Sequence, residues 1–161
     1  MCFEPQAGCR RVTVTRHRKT ADFAEQLRFL AEEKYPDATV IRVVCDNLNT
    51  HHTDSLYLTF PARQARRIAD KIEWYYTPTH ASWLNMVEIE LSVLGRQCLP
   101  DRVPCSDKPD EEAAQEAAAL LEEQTAAWSR SRNDEKATVD WQFTTEKARE
   151  TFSRHYPTPS S

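Results

Sequence analysis

Glycine is scarce in this chain: only two occur among its 161 residues, Gly8 and Gly95. Loops that cradle phosphates need several glycines at fixed steps, because the backbone must approach the ligand closely and adopt conformations that side chains oppose. Neither glycine belongs to such a loop. The sequence therefore excludes a P-loop fold and a dinucleotide-binding fold.

Paired metal-binding cysteines are also missing. The five cysteines form no Cys-x-x-Cys or Cys-x-x-His pair, and their odd number favours reduced cytosolic thiols over a disulfide framework or a zinc site. The chain contains no apolar run of transmembrane length, and its N-terminus lacks the apolar core of a signal peptide. We therefore expect a cytoplasmic protein without a membrane partner.

An overall positive charge is absent as well. The formal net charge is -4, which argues against a free-standing nucleic-acid binder. The charge is uneven, however, because residues 1–20 contain five basic side chains, whereas residues 110–123 contain six acidic ones. A local basic face is therefore compatible with the acidic total.

The first third of the chain predicts a hairpin followed by a helix. The turn signal at residues 5–8 introduces an alternating strand predicted at 9–17, and the four residues before the turn leave almost no room for a first strand. Apolar residues on one face predict a helix from a Thr20 cap to about Tyr35.

Two strands and an intervening helix then predict α/β layering. The β-branched run at 39–45 indicates a buried parallel strand, and 71–76 indicates a second strand. Pro61 suits the first turn of a helix that ends near Asp70. Strands and helices that alternate in this order are typical of a sheet with helices on its faces.

The helix predicted at 84–98 has an acid in an unusual place. Glu88, Ser92 and Gly95 form a narrow stripe between two apolar arcs, so a ligand or a neighbouring backbone is expected to approach closely there. The alternative is that Glu88 is an ordinary acid at a helix N-terminus, the N3 partner of an Asn85 cap.

The remaining third is predicted to be helical. Residues 110–133 begin acidic and end basic, as the helix dipole favours, and a final helix starts at a Thr144 or Thr145 cap. We expect residues 1–156 to form one partial domain and residues 157–161 to form a disordered tail.

Two acids stand where α/β folds place their ligands. Asp46 ends the first predicted parallel strand, and Glu88 lies in the first turn of a later helix. Carboxylates without a thiol or imidazole cluster suit Mg²⁺ better than zinc.

The segments around these acids resemble the DDE transposases of bacterial insertion sequences related to mariner elements. DNLNTH (46–51) is similar to the motif of the second acid, and YTPTHASWLNMVEIE (76–90) is similar to the motif of the third, with a Leu-Asn pair before the Glu. The spacing of 41 residues between the acids is also typical of the family. Further similarity lies in FEPQAG (3–8), WSRSRN (128–133) and VDWQFTTEKAR (139–149).

The resemblance implies roles for individual residues. Asp46 and Glu88 are expected to be the second and third catalytic, metal-binding acids, with Glu90 as the competing candidate for the third. Asn47 and Asn85 are expected either to orient the carboxylates or a phosphate, or to cap the adjacent helices. His51 matches the family's histidine and is expected to contact DNA.

For other polar and aromatic side chains, the residues alone leave two interpretations open. His52 is expected at the surface, and Trp83 is expected to be a packing anchor rather than a base-stacking residue. Four basic side chains either contact phosphates or form a solvated helix face: Arg63, Arg66, Arg67 and Lys71.

The resemblance implies an RNase H-like three-layer α/β fold with C-terminal helices, a two-ion Mg²⁺ or Mn²⁺ site, and DNA as substrate. In that fold the central first strand carries the first catalytic Asp. We expect that strand to be missing from an N-terminally truncated domain, because Glu4, Asp22 and Asp37 all lie in other elements.

Two classes of function are therefore open. The first is a transposase that cleaves and joins DNA, inactive alone because one acid is absent. The second is a non-catalytic remnant or a binding module that pairs with full-length transposase or with its own copies.

Overall fold

The computed structural model describes residues 1–46, 48, 50–78, 84–99 and 111–151. Its strands are β1 (Cys2–Glu4), β2 (Cys9–Arg11), β3 (Ile41–Cys45) and β4 (Ile72–Tyr76). Its helices are α1 (Thr20–Arg28), α2 (Asp54–Thr59), α3 (Ala62–Ala69), α4 (Met86–Cys98), α5 (Glu111–Asp134) and α6 (Thr145–Thr151), and a π-helical segment, Phe29–Lys34, continues α1. The mixed α/β class predicted from the sequence is confirmed.

Strands β3 and β4 form a two-stranded parallel sheet, as predicted. Ile41 pairs with Ile72 and Cys45 with Tyr76. The prediction of full burial for β3 was wrong: burial alternates along the strand, and the Val44 side chain on its outer face is 54 % exposed. Among the described residues, helices cover one face of this sheet. Ile41 and Val43 lie on that face and pack against the core.

The main core lies between this sheet and helices α1, α2 and α3. Its fully buried members are small or branched apolar side chains: Ala24, Leu27, Ala31, Leu56, Ala65 and Ile68. Burial of a Leu or Ile side chain contributes about 1.5–3 kcal/mol. Helix α2, which supplies Leu56, was not predicted, because the polar residues before it suggested only a turn.

The β1–β2 hairpin forms a second, separate antiparallel sheet. Strand β1 exists although almost none was expected, and β2 is shorter than the predicted 9–17. The ladder ends at Arg11 because its partner, Cys2, is the first residue of β1. The hairpin contacts the helix layer where Lys34 pairs with Glu4 at 3.3 Å and where Arg11 lies 3.7 Å from the Phe29 ring centroid.

Helix caps agree with the sequence in part. Thr20 was predicted to cap α1, but the cap is Lys19, whose extended backbone N–H donates to the Asp22 carboxylate at 2.8 Å. Thr144 caps α6 through its hydroxyl, which accepts from Lys147 N–H at 3.3 Å. No helix in the described part of the chain is long and apolar enough to cross a membrane.

The two glycines predict opposite responses to alanine. Gly8 has φ +61°, and a Cβ there would collide with the Lys136 carbonyl group, so Gly8→Ala is expected to lower the free energy of unfolding by about 1–3 kcal/mol. At Gly95, inside α4, a Cβ meets no described atom within 4 Å, so Gly95→Ala should raise it by about 0.5–1 kcal/mol. Urea unfolding of both variants tests this pair, and equal effects would contradict it.

Candidate active site

Asp46 lies directly after β3, at the carboxyl end of the parallel pair. The neighbouring strand ends at the same level, where Thr77 N–H donates to the Cys45 carbonyl at 2.9 Å. The Asp46 side chain is 35 % exposed. It therefore occupies the edge of the sheet at which α/β folds bind ligands, and solvent reaches it.

His51 contacts this carboxylate. Its Nδ1 lies 2.5 Å from Asp46 Oδ1, and its ring stacks on Phe23 with centroids 4.4 Å apart. The Tyr76 hydroxyl donates to the His51 carbonyl at 3.0 Å and lies 3.2 Å from His52 Nδ1. Both histidines thus have partners within the protein, in addition to the DNA contact expected for His51 and the surface position expected for His52.

The thiol beside Asp46 is buried and protonated at neutral pH. Burial, together with the neighbouring Asp46 carboxylate, raises the pKa of Cys45 to about 11. The thiolate, which is the form that binds metals, is therefore scarce near pH 7. The Asp46 carboxylate oxygens are hard donors and suit a hard cation.

Glu88 lies in the first turn of α4, where the helix dipole favours an acid. Its side chain is exposed. Asn85 caps the helix: its side-chain oxygen accepts from Val87 N–H at 3.3 Å, and its carbonyl accepts from Glu88 N–H at 3.0 Å. No described backbone approaches the stripe at Gly95, where an added Cβ would have no neighbour within 4 Å, and Glu88 and Ser92 are exposed.

Glu90, the competing candidate, is buried in an ion cluster. Its side chain is 1 % exposed, Arg10 Nε lies 3.0 Å from one carboxylate oxygen, and Arg132 donates to the other at 3.1 Å. Asn133 links the same elements, because its side chain accepts from Arg10 N–H at 2.8 Å and donates to Arg10 C=O at 2.9 Å. We name Arg10, Glu90 and Arg132 the buried triad; Trp128 packs against both guanidinium groups.

The two predicted acids lie on different elements. Helix α4 packs mainly on α5 and β1, whereas Asp46 belongs to the β3–β4 sheet. Among the described residues, no three His, Cys, Asp or Glu side chains are grouped to hold a metal. Asn47 and Trp83 lie outside the described residues.

Most of the predicted basic side chains have partners within the protein. Arg66 pairs with Asp70 at 2.8 Å and Arg67 with Glu32 at 3.2 Å, both near the surface. The Lys71 ammonium donates to the Ala31 carbonyl at 3.0 Å and to the Pro36 carbonyl. Arg63 is exposed on α3. Exposed pairs of this kind are weak, so these cations remain compatible with phosphate binding.

The Asp46 carboxylate thus lies at the end of a parallel strand within a mixed α/β domain, where α/β folds commonly bind ligands. The family model described as DDE superfamily endonuclease matches residues 1–108. The chain therefore belongs to the DDE superfamily of endonucleases. No curated protein and no solved structure matches it.

The donors fit a divalent metal in kind. Asp46 has one oxygen held by His51, and its second oxygen has no partner among the described residues. Glu88 is exposed and is held on a capped helix. Together they supply hard oxygen ligands, as Mg²⁺ and Mn²⁺ prefer, though fewer than a two-metal site needs.

Proposed function

We propose that the chain is the catalytic part of a DDE transposase, an enzyme of bacterial insertion sequences related to mariner elements that cleaves and joins DNA phosphodiesters. The observation that supports this most is the Asp46 carboxylate at the carboxyl end of β3, within the segment that matches the endonuclease family. One of its oxygens contacts His51, and the other has no partner among the described residues. Glu88 is proposed as its partner rather than Glu90, because both Glu90 oxygens face arginines in the protein interior.

Each residue has a separate task in this proposal. Asp46 and Glu88 hold the divalent ions, His51 fixes the Asp46 carboxylate, and Asn85 holds the first turn of α4 that carries Glu88. Asn47 is proposed to orient a carboxylate or a phosphate oxygen. When bound, Mg²⁺ or Mn²⁺ supplies water activation and neutralisation of the leaving oxygen.

The partners follow from the same proposal. The substrate is DNA at the ends of the element and at its target, and the protein acts in the cytoplasm, as a homo-oligomer or together with a full-length transposase. Exposed cations on α3, Arg63 among them, are available for phosphate contacts that position the DNA without reading its sequence.

A second candidate function, a module that accepts a strand, is favoured by the open edge of β3. Ile41 N–H and Cys45 C=O both bond toward β4, so in a parallel ladder the backbone groups of Arg42 and Val44 point to the opposite edge. Among the described residues that edge has no partner strand. We propose that a further strand, carrying the first catalytic Asp, pairs there and completes the RNase H-like sheet.

A nicking assay tests the catalytic proposal. We expect the 161-residue chain alone to show no Mg²⁺- or Mn²⁺-dependent nicking of supercoiled plasmid that carries the DNA flanking its gene. A longer form with an additional Asp-bearing strand should nick the plasmid, and Asp→Asn in that strand should stop it. Metal-dependent nicking by the 161-residue chain that disappears in Asp46→Ala would contradict the need for another strand.

A further inference from the structure

Within the described part of the chain, the Asp46 carboxylate is held by one of its two oxygens. Oδ1 lies 2.5 Å from His51 Nδ1, and the second oxygen has no partner among the described residues. A carboxylate only accepts hydrogen bonds, so the ring nitrogen is the donor. This contact fixes the orientation of the carboxylate and leaves its free oxygen available to a cation.

His51 is itself held from three directions. Its backbone N–H donates to the Leu48 carbonyl at 2.9 Å, and its own carbonyl accepts from the Tyr76 hydroxyl at 3.0 Å. The Phe23 ring covers one face of the imidazole, with 29° between the two planes. Rotation of the imidazole away from Asp46 therefore requires loss of a stacking contact as well as a hydrogen bond.

The two aromatic residues that hold His51 come from different elements. Phe23 belongs to α1 and packs against the main core, whereas Tyr76 ends β4 and pairs with Cys45, the neighbour of Asp46. Trp74 lies between them, with its ring centroid 6.1 Å from that of Phe23 and 5.9 Å from that of Tyr76. The position of His51 thus depends on the packing of the helix layer against the sheet.

We propose that Phe23 and Tyr76 are positioning residues for the metal-binding acid: they hold His51, and His51 holds Asp46 with one oxygen free. This inference rests on the proposed function, because it assigns a purpose to the free oxygen. It also gives His51 a role other than DNA contact. Partners that orient a metal-binding side chain typically change metal affinity by about 10–100-fold when they are lost.

The first test is nuclear magnetic resonance of the full chain with ¹⁵N-labelled histidine. We expect one imidazole, identified by its absence in His51→Gln, to show a single Nδ1–H form with a slowly exchanging proton. Tyr76→Phe and Phe23→Leu should average this signal, and Phe23→Tyr, which keeps an aromatic ring, should retain it. Averaged His51 signals in the wild-type chain, or signals identical in every variant, would overturn the inference.

The matched control is Tyr75→Phe. Tyr75 is the adjacent residue of β4, but its hydroxyl donates to Glu73 at 2.6 Å instead of to His51. Removal of this hydroxyl should leave the His51 signals unchanged. Equal loss in Tyr75→Phe and Tyr76→Phe would show a general effect of the strand and would overturn the specific role of Tyr76.

The second test is a titration with Mn²⁺, in which the paramagnetic broadening of the His51 ring signals is measured. We expect Tyr76→Phe and Phe23→Leu to weaken the Asp46-dependent broadening on the order of 10-fold, with no change in Tyr75→Phe. Broadening that persists undiminished in Asp46→Asn would overturn the metal proposal. The ring signals would then still decide whether Phe23 and Tyr76 position His51.

Discussion

Replacement of Glu90 with alanine is expected to lower the free energy of unfolding by about 3–5 kcal/mol. The Arg10 side chain is 0 % exposed and that of Arg132 17 %, so neither guanidinium recovers full hydration when its acid is removed. Burial already lowers the pKa of Arg10, and Glu90 is the main group that opposes this effect. Urea unfolding should show the loss directly.

Glu88→Ala is the matched control for this prediction. It removes the same side chain two residues earlier on α4, but from an exposed position, so only the helix-dipole contribution of about 0.3–1 kcal/mol is lost. The double variant Arg10→Met with Glu90→Met replaces the central pair with apolar groups and should recover part of the stability. Equal unfolding midpoints for Glu88→Ala and Glu90→Ala would show that the buried triad contributes nothing.

Asp46→Asn or Glu88→Gln should reduce Mn²⁺-dependent nicking by about 100-fold or more in the longer, strand-completed form. A metal ion supplies several kcal/mol of charge stabilisation, and each 1.36 kcal/mol corresponds to about tenfold in rate. Both substitutions preserve size and remove only the ligand charge. Rates should be measured at a Mn²⁺ concentration that saturates the unsubstituted protein. They should be measured again at a higher concentration, at which the weakened site of a variant is partly refilled.

Controls for these two substitutions use acids outside the site. Asp54→Asn changes an exposed acid in the first turn of α2, and Glu116→Gln changes an exposed acid on α5. Both variants should keep the wild-type rate. If Glu88→Gln nicks DNA as fast as Glu116→Gln, Glu88 is not a metal ligand and the assignment of the third acid is wrong.

Local sequence patterns predicted those features that depend on residues close together in the chain. The β-branched run of β3, the acidic-to-basic gradient of α5 and the Asn85 cap were all evident in the sequence and are present in the structure. The burial of β3 could not be predicted in the same way. It depends on what covers the second face of the sheet, and a strand's own residues do not specify that.

The candidate site shows the same limit more clearly. Sequence motifs predicted Asp46 and His51 as site residues. The contact between them and the stacking of Phe23 on His51 depend on how α1 packs against the sheet. In the sequence, Phe23 is simply one of the apolar residues on one face of the first predicted helix. Likewise, the sequence around Glu90 does not indicate that Arg10 and Arg132 pair with it, because both arginines are distant in sequence.

The buried triad extends beyond the segment that matches the endonuclease family. The match to the endonuclease family ends at residue 108, yet Arg132, Asn133 and Trp128, which enclose Glu90 and Arg10, all lie beyond that point. A chain cut at the boundary of the family would therefore expose a charged interior. We therefore expect residues 1–108 alone to unfold more easily than the full chain, and replacement of both Arg10 and Glu90 with apolar residues to reduce that difference.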